Sequence, residues 1–523
     1  MKDALACKGN LSEGILPFVN PATGEIFGQV EASSLEEARR AVFSMRAAST
    51  NWAKRPVKDR LQVMQKLYRC LLEQADSITD VITQDTGKPR QDALIELYTC
   101  LNYFHTLMKK APAWLREERI ATGLQFMKRA WVRHQPHGVV AVIAPWNYPL
   151  LLMMNPTLGA LAAGNSVVVK PSEVTPAVAA YVQQLLQAIP ILDEVVRFAY
   201  GDARIGAAVV EAAPDMIFIT GSAQTGQAIS RAAAESLTPV VCELGGKDPM
   251  LVLEDADLDA AARWGAWGAF SNSGQTCISP ERVYVHEAVY DSFLAELKAE
   301  VERIRIGYSR DVDGDYHYGT MTFPAQCATV EAHITDALRK GARVVTGGAR
   351  KGMLLPPTVL ADVNDSMLVM QEETFGPVLP VIRVKNDEEA VARANDSPFG
   401  LSGSVFSENP TRARRVAEAL QVGSVNINDT MSHYALPELP FGGVGLSGNG
   451  RSNGREGLLA FTNTHAYVRG KPHPWDIATR VRKPGSYQLV RGLMLITLAP
   501  SLEQKMTALK ALLRGGKSDP MSN

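Results

Sequence analysis

From residue 138 onward, short apolar runs suited to buried strands alternate with helical stretches, and this alternation constrains the fold more than any other feature of the chain. The first runs are GVVAVIAP, SVVVKPSE, VVRFAYG, MIFITGS and VVCELGG. The helical stretches between them, such as TPAVAAYVQQLLQAI, are long enough to be crossover connections, which favours parallel strands. We therefore predict the α/β class, with a doubly wound parallel sheet.

The same pattern returns in residues 281–430, which indicates a second α/β domain in series. Residues 34–110 have helical periodicity instead, and Ser34 followed by Glu37 resembles a capping box. Residues 118–136 are mixed polar and β-prone, so they are predicted to leave the main body. A length of 523 residues allows about three domains.

Charge and cysteine content exclude several classes of protein. A formal net charge of −1 provides no overall field to hold a polyanion, so no nucleic-acid partner is expected. No apolar run reaches the length of a transmembrane helix. Six cysteines without a CxxC pair predict neither a disulfide framework nor a metal site, and indicate reduced thiols in a cytoplasmic protein.

Three polar residues in loop-like or strand-end positions are candidates for catalysis. Cys277 follows the polar segment SNSGQT, as a nucleophile on a loop would, and a small buried core residue is the alternative, the one that an arbitrary cysteine favours. Glu243 ends an apolar strand, where partial desolvation would make it a general base or a partner for a cation. Asn147, between two prolines, suits an oxyanion donor or a turn cap.

Two further segments suit a nucleotide. Lys170 and Glu173 follow a strand, where such residues contact ribose hydroxyls. Residues 221–226 follow MIFIT and open a helix, where free N–H groups suit a pyrophosphate. The segment lacks the GxGxxG pattern and is weak by itself.

Together these segments resemble the aldehyde dehydrogenase superfamily over about residues 15–470. Seven motifs occur in the order that the family has them, which makes the resemblance specific. They are PWNYP at 145–149, KPSE at 170–173, FITGSAQTG at 218–226, ELGGKDP at 243–249, GQTC at 274–277, EETFGPV at 372–378 and PFGGVGLSGNGR at 440–451.

The resemblance implies an NAD-dependent, non-acylating oxidation of an aldehyde to the acid. Cys277 would form a thiohemiacetal and then a thioester, and Glu243 would activate the hydrolytic water. Asn147 and the backbone N–H of Cys277 would form the oxyanion hole. The implied cofactor-binding residues are Trp146, Lys170, Ser172, Glu173, Gly221, Ser222, Gly226, Leu244, Glu373 and Phe375.

The family fold also implies a domain arrangement. Residues 15–117 and 137–244 would form the Rossmann-type cofactor domain, and residues 245–455 the catalytic domain. A small β oligomerisation flap would come from 118–136 and 456–470. Because two-stranded flaps are unstable alone, a homodimer or homotetramer is expected.

Three alternatives concern the activity. A CoA-acylating relative usually lacks the glutamate equivalent to Glu243. A succinate-semialdehyde-type dehydrogenase would need a cation in its substrate tunnel, and the sequence identifies none. A non-catalytic nucleotide-binding or structural relative would be expected to have lost catalytic residues, all of which are present here.

Residues 471–523 lie outside the family core and are basic, with nine Lys and Arg against three Asp and Glu. Within 491–516, Leu502, Met506, Leu509, Leu512 and Leu513 fall on one face of a predicted helix. This basic amphipathic pattern is typical of a helix at a membrane surface. Packing of the apolar face on the acidic enzyme body or on a neighbouring subunit is the alternative.

Overall fold

A computed structural model of the protein describes residues 8, 11, 14–125, 128–312, 314–470 and 486–514, which divide into two compact units. The larger unit contains the described residues up to 116 and residues 134–464. The smaller contains the described residues of 117–133 and of the chain from 465 onward. None of the helices in these ranges combines the length and apolarity needed to cross a membrane.

The described residues up to 136 are helical mainly within 34–110, as the periodicity there predicts. Their elements are β1 (Ile15–Val19), β2 (Ile26–Glu31), α1 (Leu35–Ala53), α2 (Val57–Glu73), α3 (Ala75–Thr86), α4 (Arg90–Trp114), β3 (Glu118–Ile120) and β4 (Arg129–Pro136). The predicted capping box is confirmed at the start of α1. The Ser34 hydroxyl accepts from the N–H of Glu37 at 3.2 Å, and the Glu37 carboxylate accepts from the N–H of Ser34 at 2.8 Å.

The predicted alternation of strands and helices follows. Its elements are β5 (Val139–Ile143), α5 (Leu151–Ala163), β6 (Ser166–Lys170), α6 (Pro176–Gln187), α7 (Pro190–Val195), β7 (Val196–Phe198), α8 (Ala203–Glu211), β8 (Met216–Thr220), α9 (Ala223–Ala234) and β9 (Val240–Glu243). All five strands are parallel, in the spatial order β9-β8-β5-β6-β7. Strands β5 and β6 are fully buried, which explains their continuous apolar sequence.

The second α/β segment forms another sheet in the same unit. Its elements are β10 (Asp248–Val252), α10 (Leu258–Phe270), β11 (Pro280–His286), α11 (Tyr290–Glu302), α12 (Pro324–Arg339), β12 (Arg343–Thr346), β13 (Thr358–Ala361), α13 (Leu368–Gln371), β14 (Val378–Val384), α14 (Asp387–Asn395), β15 (Phe399–Gly400), β16 (Ser402–Phe406), α15 (Pro410–Ala419) and β17 (Ser424–Ile427). The sheet order is β12-β13-β14-β11-β10-β16-β17, parallel except for β12.

The chain then returns to the first sheet before it ends. The remaining elements are β18 (Val444–Gly445), β19 (Gly448–Asn449), α16 (Gly454–Ala460), β20 (Thr462–Arg469), α17 (Ser486–Leu498) and α18 (Leu502–Arg514). Strand β19 pairs antiparallel with β9, so the first sheet has six strands. This pairing joins two parts of the chain that the sequence assigns to different domains, whose boundaries stay a prediction.

The segments predicted as the flap contain a three-stranded sheet in the order β20-β4-β3. Trp131 of β4 and Tyr467 of β20 stack with ring centroids 5.3 Å apart. The predicted flap bounds of 118–136 and about 456–470 stay a prediction. Residues up to Ala460 continue helix α16, in which Leu458 is buried in the larger unit's core, so the strand begins only at Thr462.

Candidate active site

The parallel strands of the first sheet bring several predicted site residues to one edge. Ile143 pairs with Lys170 across β5 and β6, and Thr220 pairs with Glu243 across β8 and β9. Because the carboxyl ends of parallel strands meet at the same edge, the loops that follow them converge there. These loops carry Trp146, Asn147, Ser172, Glu173, Gly221, Ser222 and Leu244.

Cys277 and Glu243 line one small cavity. Its volume is about 20 Å³, which is enough for roughly one water molecule. The remaining lining residues are mostly apolar. They are Leu152, Asn155, Pro156, Phe218, Thr220, Leu244, Tyr434, Phe441 and Ser452. Cys277, the predicted nucleophile, and Glu243, the predicted base, lie 34 positions apart in the sequence and line the same cavity.

The cavity environment opposes the charged form of both groups. Burial raises the pKa of the Cys277 thiol, and the carboxylates of Asp248, Glu373 and Glu243 add to the effect. Burial also raises the pKa of Glu243 to about 8, although Ser452 and Arg451 favour the ionised form. Neither carboxylate oxygen of Glu243 makes a hydrogen bond of good geometry within the described part of the chain. Its oxygens are thus available to a water or a substrate.

Asn147 is buried beside the nucleophile loop. Its side-chain nitrogen donates to the carbonyl of Gln275 at 2.9 Å. A primary amide has two N–H groups, so this bond leaves one for an oxyanion. The predicted role of Asn147 as an oxyanion donor stays a prediction that this geometry permits.

The loop before Cys277 adopts an unusual backbone conformation. Asn272, Ser273 and Gly274 are consecutive residues with φ of 52°, 59° and 68°. Each non-glycine residue in this region costs on the order of 1–3 kcal/mol, so surrounding bonds must hold the loop in place. The side-chain amide of Gln275 does so at two points. Its nitrogen donates to the carbonyl of Asn272 at 2.9 Å, and its oxygen accepts from the N–H of Thr322 at 2.9 Å.

Lys88 and Glu96 form a buried ion pair that sequence analysis missed. Lys88 Nζ lies 2.8 Å from Glu96 Oε2 and donates to the carbonyl of Asn147 at 2.8 Å. Glu96 Oε1 accepts from the N–H groups of Leu150 and Leu151 at 2.8 and 3.2 Å. The pair thus holds the loop that carries Asn147. A glutamate on the otherwise apolar, core-facing side of α4 was the signal that could have revealed it.

Removing one partner of this pair is expected to destabilise the protein strongly. Glu96→Ala leaves the Lys88 ammonium buried without its counter-charge, which typically costs about 3–5 kcal/mol. Glu211→Ala is the matched control, because it breaks an ion pair with Arg39 that is exposed to solvent. Thermal unfolding should therefore show a large decrease in midpoint for Glu96→Ala and almost none for Glu211→Ala. Equal midpoints for the two variants would contradict this account.

The residues predicted to contact the adenosine ribose contact each other. Lys170 Nζ lies 2.7 Å from Glu173 Oε2, with the lysine buried and the glutamate partly exposed. The hydroxyl of Ser172 accepts from the N–H of Val174 at 3.2 Å and so fixes the turn between them. The pair presents a carboxylate at the edge of the sheet.

The predicted pyrophosphate segment opens helix α9. Ser222 is the N-cap residue, and its hydroxyl accepts from the N–H of Thr225 at 3.2 Å. A Cβ added to Gly221 would lie 3.6 Å from the Ile219 side chain, which is ordinary van der Waals contact. A Cβ on Gly226 would lie 2.6 Å from Leu244, so this glycine allows the helix to approach the end of β9. Gly226 therefore contributes to the packing of α9 against Leu244.

The second sheet supplies the remaining predicted residues. Glu373 accepts from the N–H of Gly246 at 3.1 Å, and a Cβ on Gly245 would lie 2.2 Å from its carboxylate. Phe375 lies edge-to-face with Trp146, with centroids 5.4 Å apart. Both contacts join the loop before β14 to the edge of the first sheet.

Glu281, another buried residue that sequence analysis missed, fixes this loop. It accepts from the N–H groups of Thr374 and Phe375 at 2.8 and 2.9 Å and pairs with Lys247 at 2.5 Å. Its charge and, above all, burial raise the pKa of Glu373 to about 8. In the described ranges, no cluster of three His, Cys, Asp or Glu side chains is arranged to hold a metal ion.

Comparison with known proteins identifies the family of the chain. The sequence profile of the aldehyde dehydrogenase family matches residues 9–467. A 4,4'-diapolycopene aldehyde oxidase of Methylomonas sp is 41% identical over 447 residues, which cover 85% of this chain and 84% of that protein. A protein of Mycolicibacterium smegmatis, named as a succinate-semialdehyde dehydrogenase with NADP(+) in its name, is 35% identical over 461 residues, which cover 87% and 89%.

Solved structures share the fold. An aldehyde dehydrogenase from Brucella melitensis biovar abortus 2308 superimposes with a TM-score of 0.83 at 33% identity, over 88% of this chain and 94% of that one. A betaine aldehyde dehydrogenase from Staphylococcus aureus, in complex with NAD+, gives a TM-score of 0.83 at 29% identity, over 88% and 95%. The chain therefore belongs to the aldehyde dehydrogenase family, the NAD(P)-dependent oxidoreductases that act on aldehydes.

Proposed function

We propose that the protein oxidises an apolar aldehyde to its carboxylic acid with NAD, through a thioester on Cys277 that is hydrolysed with Glu243 as base. The observation that carries this proposal is the shared cavity of Cys277 and Glu243, which is small and largely apolar. The Asn147 amide is held to the carbonyl of Gln275, two residues before Cys277. Purified protein, NAD and a panel of aldehydes, followed by absorbance at 340 nm, test it directly. An absence of NADH formation with every aldehyde would refute it.

The first half of the reaction uses Cys277 and its neighbours. The Cys277 thiol first loses its proton to water, and the thiolate then adds to the aldehyde carbonyl. The C–S bond forms as the π bond of the carbonyl breaks, and its electron pair makes the carbonyl oxygen an alkoxide. The free N–H of Asn147 and the backbone N–H of Cys277 stabilise this charge by hydrogen bonding. Collapse of the alkoxide expels hydride from the carbon and leaves a thioester. NAD, when bound, supplies the acceptor for that hydride.

The second half uses Glu243. Its carboxylate removes a proton from a water in the cavity, and the resulting hydroxide attacks the thioester carbonyl. The C–S bond then breaks, the acid leaves, and the Cys277 sulfur is restored. The pKa of about 8 for Glu243 makes it a much stronger base than an exposed glutamate. A CoA-acylating relative would have no need of this base.

The chain's residues fit NAD at three points. Lys170 and Glu173 would hold the adenosine ribose, and Ser222 with the first N–H groups of α9 would hold the pyrophosphate. Glu373 and Phe375 would hold the nicotinamide ribose and ring, beside Trp146.

We expect NAD to be preferred over NADP by at least roughly ten-fold in kcat/KM. The 2′-phosphate of NADP would approach the Glu173 carboxylate, and like charges a few ångström apart repel by about several kcal/mol in a partly buried site. A free 2′-hydroxyl can donate to the same group. Glu173→Gln should narrow the preference for NAD over NADP. Glu235→Gln, at the exposed C-cap residue of α9, should leave that preference unchanged. A higher kcat/KM with NADP would refute this assignment.

The cavity favours an apolar aldehyde over a semialdehyde that carries a second carboxylate. Its described lining residues include no lysine or arginine, and Leu152, Phe218 and Phe441 give it an apolar wall. A succinate-semialdehyde-type activity therefore lacks the cation it would require, although some relatives carry that name. In the aldehyde panel, apolar aldehydes should therefore give higher kcat/KM than succinate semialdehyde, and the relative named as a 4,4'-diapolycopene aldehyde oxidase supports including polyene aldehydes among them.

The remaining parts of the proposal concern assembly and location. The exposed strands of the flap sheet support a homodimer or homotetramer, since such small sheets need further packing. The reduced thiols support a cytoplasmic protein. Peripheral membrane contact through residues 491–516 is supported by the basic amphipathic sequence of that segment.

A further inference from the structure

Helices α17 and α18 of the smaller unit pack against each other through small side chains. A Cβ added to Gly492 would lie 2.4 Å from the side chain of Leu512, so the two helices come close at this point. Ala499 and Ala508 are also buried. The pair thus has an internal packing face.

A second set of apolar side chains lies outside this packing face and is exposed to solvent. At 3.6 residues per turn, four of them form one stripe along α17 and three form one stripe along α18. We call this set the apolar face. It consists of Tyr487, Val490, Met494, Leu498, Leu502, Met506 and Leu509, each between 40% and 76% exposed. Single exposed apolar residues are ordinary, but seven within 23 residues indicate a binding surface.

Basic side chains border the apolar face. On α18, Lys505 and Lys510 fall on opposite sides of the apolar stripe, and Arg491 borders the stripe on α17. Glu503 is the only acidic residue between positions 486 and 514. Long cationic side chains beside an apolar stripe can place their stems in the acyl region and their charges among lipid head groups. Protein interfaces, in contrast, are depleted in lysine.

The length of the helices is consistent with lying on a membrane. Each has 13 residues, or about 20 Å, which is well short of the ~30 Å hydrocarbon core. We propose that the apolar face docks the protein on the surface of an anionic lipid bilayer, where it collects an apolar aldehyde dissolved in the membrane. This docking extends the proposed function. The choice of an apolar aldehyde as the substrate collected there rests on that function.

The test uses the full-length protein and vesicles of phosphatidylcholine, with and without an equal part of phosphatidylglycerol. The test variant is Leu498→Glu/Leu502→Glu, which places two negative charges at the centre of the apolar face. The matched control is Leu237→Glu/Val312→Glu, which makes the same change at two residues that are 89% and 66% exposed elsewhere. Normal oxidation of a short water-soluble aldehyde shows that each variant is folded.

Wild type and control should sediment with the anionic vesicles and bind several-fold less in high salt, because salt screens the basic residues. The test variant should bind at least roughly ten-fold more weakly, a difference of about 1.4 kcal/mol. With a long-chain aldehyde supplied in anionic vesicles, it should also lose activity relative to the control.

Two outcomes would overturn the proposal. In the first, wild type stays in the supernatant at low salt. In the second, the test variant changes the oligomeric mass in analytical ultracentrifugation and leaves vesicle binding intact, which would assign the apolar face to a second copy of the chain. Failure of the proposed function is distinguishable, because it would remove oxidation of every aldehyde and leave vesicle binding unchanged.

Discussion

Cys277→Ala is expected to abolish NAD-dependent aldehyde oxidation, with steady-state turnover falling to the background of the assay. The methyl group of alanine cannot add to the carbonyl, so neither the alkoxide nor the thioester can form. Cofactor binding should persist, since the residues proposed to hold NAD do not include the sulfur. Absorbance at 340 nm measures turnover, and a fluorescence titration with NAD measures binding.

Cys70→Ala is the matched control for that variant. Cys70 is half-buried like Cys277, but it lies in helix α2 and outside the cavity. It should retain full activity. Substantial turnover by Cys277→Ala would show that the nucleophile lies elsewhere, and loss of NAD binding would show that the sulfur supports the cofactor site.

Glu243→Gln is expected to slow hydrolysis of the thioester far more than its formation. An amide cannot take a proton from water, and a general base typically contributes ~10²–10⁴-fold. Rapid mixing of enzyme, NAD and aldehyde should therefore give one equivalent of NADH in a burst, followed by very slow turnover. Equal loss of the burst and of the steady state would contradict the role of Glu243 in hydrolysis.

The pH dependence provides a second test of the same residue. The base works when ionised, so the turnover of wild type should rise with pH and reach half of its plateau near the pKa of about 8. Where hydrolysis limits turnover, Glu243→Gln should lose this rise. Glu235→Gln, on the exposed end of α9, should keep the wild-type profile. A wild-type profile that is flat between pH 7 and 9 would refute the assignment.

Sequence analysis predicted best those features that depend on local pattern. Strand β5 is apolar throughout, and the capping box at Ser34 is set by two residues three positions apart. The predicted site residues were located by the seven family motifs. Their catalytic and cofactor roles stay predictions.

Features that depend on distant contacts could not be predicted in this way. The pairing of Lys88 with Glu96 is local, but its contact with the Asn147 carbonyl joins parts of the chain that no periodicity relates. The left-handed backbone at Asn272 and Ser273 depends on hydrogen bonds of Gln275, one of them with Thr322. Nothing in the sequence pattern around these residues indicates an unusual backbone conformation. The bonds from Glu281 to the loop before β14 likewise exist only in the folded chain.

The pairing of β19 with β9 has a consequence for synthesis of the protein. Gly448 lies opposite Glu243, and Ser452 forms part of the cavity wall, so the ribosome adds about 200 residues after the base before its surroundings can exist. Until then β9 is an unpaired edge of the nascent sheet, the kind of edge at which other chains can add. The return of the chain at β19 pairs with the Cys242–Glu243 end of that edge. We therefore expect Glu243 to reach its final surroundings, and any hydrolytic role, only when the fold is nearly complete.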